Sequence, residues 1–256
     1  MTNIIAVHSF RGGTGKSNTT ANVAYLLAAK GQCVGVIDTD IQSPGIHVLF
    51  GLKGDEITTS LNDYLWQERD ITDTAIDVTQ NFDTDLPGKL FLIPSSIKPG
   101  QITRVLREGY DAERLTHGLR QLVEGLSLDV LMIDTHPGLN EETLLSLVIA
   151  NTLVIIMRPD MQDYEGTGVT IEVARKLEVP RMVIVVNKAP TNIEPQAILT
   201  NVEKTYRCEV VGVVPHSDDL MNLGSDGIFV DLFPNHPVSL LFKQITMRLI
   251  NNGDES

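Results

Sequence analysis

A glycine-rich stretch near the N-terminus, FRGGTGKSN at residues 10–18, constrains the fold more than any other feature of the sequence. It follows an apolar run at 4–9 and precedes a helical pattern. Gly12, Gly13 and Gly15 lack a Cβ atom, so the backbone can turn tightly and approach an anion closely. Successive N–H groups would then point at phosphates, with the positive end of a helix dipole behind them. The stretch therefore predicts a strand–loop–helix unit that binds nucleotide phosphates.

The other residues of this loop fit the same chemistry. The ammonium group of Lys16 can reach β- and γ-phosphates, and the hydroxyl of Ser17 can bind Mg²⁺. Thr14 and Asn18 complete the set that we expect to line the phosphates. The predicted ligand is a nucleoside triphosphate with Mg²⁺.

Short apolar runs alternate with longer amphipathic segments along the rest of the chain. The runs are rich in Val and Ile and lack strict alternation, as is typical of strands buried on both faces. The predicted strands are 4–9, 33–38, 90–94, 129–134, 153–158, 182–187 and 210–215. The predicted helices are roughly 16–30, 61–67, 100–125, 140–150, 165–178, 194–206 and 237–250. This order predicts a three-layer α/β fold with a mostly parallel twisted sheet and helices on both faces. We expect one domain over 1–256, with 251–256 as a frayed acidic tail.

Composition argues against several other classes of protein. The two cysteines, Cys33 and Cys208, lie far apart and match no zinc or iron–sulfur spacing. The net charge of −13 disfavours broad binding to nucleic acid or to an anionic membrane, although non-specific DNA binding through a local basic patch stays open. The N-terminus does not resemble a signal peptide, and the longest apolar region, 144–157, is too interrupted to cross a membrane. We expect a cytoplasmic protein.

Carboxylates follow two of the predicted strands. Asp38 and Asp40 lie in the stretch VIDTDIQ, and Asp134 ends the strand of DVLMIDTHPG. Ligands of open parallel sheets bind beyond the carboxyl ends of the strands, so these side chains should meet the phosphate loop. Next to Mg²⁺ and a γ-phosphate, one carboxylate can hold metal-bound water while another orients the attacking water. His136 could make a pH-sensitive contact, but we favour a solvated side chain. We expect the amide of Gly138 to meet the γ-phosphate.

Two later strand ends predict the site of the base. Asn187 ends the strand of MVIVVNK, and its amide can pair with the donor–acceptor edge of a purine. Pro215 could pack against the ring. The pair Asn187 and Lys188 is similar to the guanine-reading pair of GTPases, but those proteins need an Asp two residues after the Lys, where this chain has Pro190. Adenine is the preferred base.

These motifs, in their order and spacing over roughly residues 3–250, resemble the MinD/ParA family of deviant Walker-A ATPases. The resemblance implies an ATP-dependent homodimer that encloses two nucleotides between face-to-face subunits. It also implies slow ATP hydrolysis, which an activating protein partner stimulates, in a switch for intracellular positioning or partitioning. By the same resemblance Lys16 holds phosphates, Asp40 positions the attacking water, Asp38 and Asp134 support Mg²⁺ and water, and Ser17 binds Mg²⁺.

Arg11 departs from the family pattern, whereas Phe10 does not, because the family does not require Gly at position 10. The family places a signature Lys at position 11, which crosses the dimer to touch the partner's nucleotide. Arg keeps the charge and adds a planar fork of donors. We hypothesise that Arg11 also reaches across the dimer. The alternative is that Arg11 pairs with a local carboxylate or lies in solvent, and then Arg158 or Lys176 would supply that charge.

The last helix bears on the docking surface, because some family members end in an amphipathic helix that binds membranes. Its apolar stripe of Val238, Leu241, Ile245 and Leu249 carries few cations nearby, so we expect a core helix and no membrane binding.

Two other functions stay open. One is a nucleotide-gated binding module with little hydrolysis. The other is a small-molecule kinase or ligase on the same scaffold, similar to dethiobiotin synthetase.

Overall fold

The computed structural model describes residues 2–82 and 84–250, so the predicted tail 251–256 lies outside the described residues. Its centre is an eight-stranded sheet in the order β3-β4-β2-β5-β1-β6-β7-β8. The strands are β1 (Asn3–His8), β2 (Cys33–Asp38), β3 (Ile76–Asp77), β4 (Lys89–Ile93), β5 (Val130–Asp134), β6 (Thr152–Met157), β7 (Arg181–Ala189) and β8 (Glu209–Pro215). Every neighbouring pair is parallel except β3 with β4. The predicted α/β class and mostly parallel sheet are therefore confirmed.

Helices cover both faces of this sheet. They are α1 (Lys16–Ala28), α2 (Leu61–Leu65), α3 (Pro99–Glu108), α4 (Ala112–Gly125), α5 (Glu141–Ile149), α6 (Met161–Lys176), α7 (Pro195–Tyr206), α8 (Asp218–Leu223), α9 (Phe229–Leu232) and α10 (Pro237–Ile250). Alternate residues of β5 show the layering. Val130 and Met132 pack in the core with α1 and α10, while Leu131 and Ile133 pack in the core with α4 on the other face. Burial on both faces explains why the strands lack a polar alternation.

The predicted helix 100–125 was wrong, because the structure divides it into α3 and α4. Gly109 ends α3 with a positive φ of 65°, which glycine adopts without steric cost. The side chain of Asp111 then accepts hydrogen bonds from the amides of Glu113 and Arg114 and caps α4. The predicted start of the helix at 165 was late by four residues, because the Asp160 side chain caps α6.

The last helix, α10, packs as a core helix. Val238, Phe242, Ile245 and Leu249 are buried, and the helix lies against β8 and α1. We predicted Leu241 as part of the buried stripe of this helix, but Leu241 is only half-buried and Phe242 is buried in its place. No helix in the described ranges has the length and apolar character that crossing a membrane requires.

The parallel arrangement brings the predicted site residues to one edge of the sheet. β1, β2, β5, β7 and β8 are all parallel to their neighbours, so their carboxyl ends face the same way. The glycine-rich loop follows β1, Asp38 and Asp134 are the last residues of β2 and β5, and Asp40 follows β2. Asn187 and Pro215 lie at the ends of β7 and β8.

Candidate functional site

The loop between β1 and α1 has the backbone that an anion site needs. Gly13 and Gly15 have positive φ values of 76° and 94°. Gly15 precedes α1 and offers no capping side chain, so the first amides of the helix carry no side-chain partner. A cavity of about 300 Å³ opens at the loop. It is lined by Ser9, Gly12, Gly13, Thr14, Gly15, Lys16, Ser17, Asn18, Asp40, Pro137 and Lys188.

A buried polar network ties the loop to the tip of β5. The ammonium of Lys16 lies 2.8 Å from Asp134 Oδ1, and their side chains are 8% and 2% exposed. Ser17 Oγ donates to Asp134 Oδ2 at 2.7 Å, and Thr20 Oγ1 donates to Oδ1 at 3.0 Å. The Asp134 carboxylate thus bonds to a lysine and two hydroxyls that all come from the start of α1. An incoming phosphate must therefore compete with Asp134 for Lys16.

Asp38 and Asp40 lie on the loop side of β2 in different environments. Asp38 is fully buried, and its two carboxylate oxygens accept from the amides of Asp40 at 2.9 Å and Gly45 at 3.3 Å. Burial, and then the charge of Asp134, raises the pKa of Asp38 to about 8, although Lys16 acts in the opposite direction. Burial also raises the pKa of Asp40, and the nearby His136 and Lys16 oppose that shift.

The segment after β5 bears on two expectations. The amide of Gly138 donates to the Ser9 carbonyl at 3.1 Å, so in this structure it serves the loop and does not point to a free anion site. His136 is only partly exposed, and its Nε2 lies 3.8 Å from Asp40 Oδ1. His136 therefore keeps some contact with solvent, but its ring also lies beside the Asp40 carboxylate, as the alternative of a pH-sensitive contact would require.

A histidine that sequence analysis did not select lies beneath the loop. His8 ends β1, is fully buried, and its Nδ1 lies 2.8 Å from Thr135 Oγ1. Burial, with smaller contributions from the charges of Lys16 and His136, lowers the pKa of His8 to about 3. The ring is therefore neutral at physiological pH, and no sequence pattern distinguishes it from an ordinary strand residue.

Asn187 and Pro215 come together in a second cavity of about 240 Å³. Its lining residues are Gly15, Asn18, Asn187, Lys188, Pro215, His216, Ser217, Leu220, Met221 and Gly224. Gly15, Asn18 and Lys188 also line the phosphate-loop cavity, so the two cavities are neighbours. Together they have the arrangement that a base and its phosphates require.

Arg11 lies in a cluster of charges at the start of α6. Its Nη1 is 3.4 Å from Asp160 Oδ1 and 3.4 Å from Asp163 Oδ1. Arg158 pairs with the same two carboxylates, at 3.3 Å and 3.2 Å. In this single chain Arg11 therefore pairs with local carboxylates, which was the alternative to a role across a dimer.

Phe10 packs on the same helix, at Gly166. A Cβ atom at Gly166 would overlap the Phe10 side chain, so the glycine makes room for the ring. Asp160, Asp163 and Gly166 were not among the predicted site residues. Asp160 followed by Asp163 is a typical capping signal for the start of a helix, so this helix start was predictable from the sequence. The contact of these two carboxylates with Arg11 was not.

Together, a parallel sheet with a glycine-rich phosphate loop after β1 and an acidic tip on β5 defines a P-loop NTPase. A family model described as an AAA domain matches residues 2–181, and the chain belongs to this family. It is also similar to MinD proteins, as the sequence predicts. An uncharacterised ATP-binding protein of Methanocaldococcus jannaschii is 27% identical over 96% of this chain and 87% of its own length. The septum site-determining protein MinD of Pyrococcus horikoshii, solved with Mg-ADP, superposes with a TM-score of 0.79 and 18% identity. That comparison covers 98% of this chain and 97% of the other, and it confirms the three-layer fold.

A relative of a different kind is an iron–sulfur cluster carrier protein of Pyrococcus abyssi. It is 24% identical over 98% of this chain and 88% of its own length. In the chain described here, Cys208 is buried and Cys33 is half-buried, and both are free. Within residues 2–82 and 84–250, no three His, Cys, Asp or Glu side chains cluster as metal ligands would.

Proposed function

We propose that this chain is an ATPase switch of the MinD/ParA type. It binds ATP with Mg²⁺, forms a homodimer that encloses two nucleotides, and hydrolyses ATP slowly. An activating protein partner stimulates hydrolysis, and the cycle positions or partitions an intracellular cargo. The observation that carries the proposal is the pair of neighbouring cavities, one lined by the phosphate loop and the other by Asn187 and Pro215.

The donor atoms at the loop suit Mg²⁺. This ion takes oxygen ligands, and it is bound in proteins by one or two carboxylates together with substrate phosphates and water. Ser17, Asp38 and Asp134 offer a hydroxyl and two carboxylates, and Ser17 already contacts Asp134. When bound, Mg²⁺ would neutralise charge that develops on the phosphates. It would also favour the carboxylate form of Asp38, whose pKa burial holds near 8.

Each remaining residue of the site has a distinct task in this proposal. Lys16 leaves Asp134 and holds the β- and γ-phosphates, and the amides of Gly12, Gly13 and Gly15 bind the phosphate oxygens. Asp40 lines the phosphate cavity and orients the attacking water. Asn187 and Pro215 line the cavity that takes the adenine ring. Asn187 pairs with the base through the amide hydrogen and the oxygen lone pair that its contacts with Thr14 and Lys188 leave unused. Transfer to water then proceeds by positioning and charge stabilisation, as in other phosphoryl transfers.

The cluster at α6 is compatible with release of Arg11 to a partner's nucleotide. Arg11 is 37% exposed and both of its contacts are long, so the pairs contribute about 1 kcal/mol or less after solvent screening. Asp163 does not depend on Arg11, since it also accepts from the amide of Arg158 at 2.9 Å and from Arg158 Nε at 3.2 Å. Arg11 can therefore leave without orphaning a buried carboxylate. We propose that it does so when two chains meet.

Exposed apolar side chains near the site support a face that meets a second copy. Phe10, Ile97, Met161 and Ile193 are exposed, and each lies in a segment that follows the carboxyl end of a strand. These segments share the edge of the sheet that carries the phosphate loop. The net charge of −13 argues against DNA or an anionic membrane as the main docking surface.

A paired assay tests the proposed function. Phosphate release is measured for the unaltered protein and for Asp40→Ala, together with binding of ADP and of a non-hydrolysable ATP analogue. We expect slow release that Asp40→Ala abolishes, with binding retained in both proteins. Binding without release in the unaltered protein would favour the nucleotide-gated module. Release that rises only on addition of small organic acids would favour a kinase or ligase.

A further inference from the structure

Strand β7 contains an irregularity at Asn187 and Lys188. Val186 pairs with Val213 and Ala189 pairs with Pro215, so β7 uses one residue more than β8 over this step. Lys188 has a φ of +53°, which is uncommon for a residue with a side chain. Such a bulge changes the direction of side chains, and bulges are frequent next to active sites.

The bulge directs two consecutive side chains to the same loop. In a regular strand, consecutive side chains point to opposite faces of the sheet. Here Asn187 Nδ2 donates to the carbonyl of Thr14 at 2.8 Å, and Lys188 Nζ donates to the carbonyl of Gly13 at 2.8 Å. The amide of Lys188 also donates to Asn187 Oδ1 at 2.9 Å, which fixes the orientation of the Asn187 side chain.

The close contact between Asn187 and the loop requires glycine at position 15. A Cβ atom on Gly15 would overlap the Asn187 side-chain nitrogen, so only glycine lets the amide group of Asn187 come this close. The loop and the end of β7 are therefore complementary in shape to each other, in addition to binding any nucleotide.

The two hydrogen bonds fix the direction of two peptide units. In a planar trans peptide, the carbonyl of one residue and the N–H of the next point in opposite directions. With the carbonyls of Gly13 and Thr14 held by β7, the amides of Thr14 and Gly15 point away from β7. Amides that already point at an anion do not have to reorganise when it binds.

We propose that Lys188 is a positioning residue of the nucleotide site, which acts by holding the Gly13 peptide so that the loop amides face the phosphates. This inference rests on the proposed function, since it concerns the same site. In this arrangement Lys188 adopts a strained, left-handed backbone conformation. Strained residues of this kind persist where the surrounding structure holds them.

The strain provides a test that separates positioning from a merely structural role. Lys188→Met removes the ammonium and keeps the stem, Lys188→Gly also relieves the backbone strain, and Lys188→Arg restores a cation. Lys204→Met on α7 is the matched control, since Lys204 is exposed and lines neither cavity. The dissociation constants of ADP–Mg and of pyrophosphate–Mg are measured by calorimetry, and the melting temperature is measured without nucleotide.

We expect Lys188→Met and Lys188→Gly to raise the dissociation constants of both ligands by about tenfold. That factor corresponds to the lower end of the free-energy range for loss of a hydrogen bond to a charged group. The melting temperature of Lys188→Gly should equal or exceed that of the unaltered protein. Lys188→Arg should recover part of the affinity, and Lys204→Met should change nothing.

Three results would overturn the inference. The first is binding of both ligands within twofold of the unaltered protein. The second is a loss confined to ADP, which would place Lys188 at the base and not at the loop. The third is a fall in the melting temperature of Lys188→Gly along with its affinity. Failure of the unaltered protein to bind ADP would contradict the proposed function itself.

Discussion

The buried pair of Lys16 and Asp134 leads to the most quantitative prediction. Removing one partner of a buried ion pair costs about 3–5 kcal/mol, because the remaining charge is left without compensation. Asp134 would still accept from Ser17 and Thr20, so we expect Lys16→Met to cost about 3 kcal/mol, at the lower end of that range. For a chain of this size that corresponds to a fall of about 6–12 °C in the melting temperature.

The double variant separates stability from binding. Lys16→Met with Asp134→Asn leaves neither charge buried, so its cost should be smaller than the sum of the single variants by about 1–3 kcal/mol. Neither Lys16→Met nor the double variant should bind ADP–Mg tightly, since the phosphates lose the cation that holds them. Recovery of stability without recovery of binding is the expected signature.

The assay is urea unfolding followed by circular dichroism, with calorimetry of ADP–Mg on the same samples. Lys204→Met controls for loss of a lysine at an exposed position. A free energy of unfolding for Lys16→Met within about 0.5 kcal/mol of the unaltered protein would refute the reasoning, since changes of that size are ordinary at surface sites. Strict additivity in the double variant would refute it as well.

Three other changes have expected outcomes. Arg11→Ala should abolish ATP-dependent dimerisation, measured by light scattering, whereas Arg11→Lys should retain it, and unchanged dimerisation of the alanine variant would exclude a role across the interface. His8 has a pKa lowered to about 3, so its contribution to stability is present above the unfolded value near 6.5 and is lost as pH falls towards 3. Between pH 7 and 5 the free energy of unfolding of the unaltered protein should therefore fall by about 2 kcal/mol more than that of His8→Asn, as measured by urea unfolding at both pH values. An equal fall in the two proteins would contradict this. Gly166→Ala should displace Phe10 and destabilise the fold by about 1–3 kcal/mol in thermal unfolding, while Gly168→Ala, which meets an ordinary contact, should have less effect.

The sheet was predictable from sequence because its strands are buried on both faces. A run such as 182–187 is almost continuously apolar, and only a parallel sheet covered on both sides needs such strands. The boundary between α3 and α4 and the position of β3 were not predictable. Gly109 divides a helical pattern whose apolar spacing continues on both sides, and β3 contains only two residues.

The candidate site also contains features that the sequence predicts and features that it does not. Gly15, Lys16 and Asp134 are visible in sequence because phosphate and metal chemistry demands those residue types at those positions. The partners of Arg11 are 149 and 152 residues away, and no local pattern connects them. The bulge that directs Lys188 to the loop depends on pairing between β7 and β8, so it appears only in the folded chain.

Sedimentation velocity with ATP–Mg, with ADP–Mg and without nucleotide tests the central claim most directly. Asp40→Ala serves as the second sample, because it should bind ATP and hydrolyse it poorly. We predict a monomer with ADP or without nucleotide, and a dimer with ATP that is most stable for Asp40→Ala. A monomer under all three conditions, in both proteins, would contradict the account.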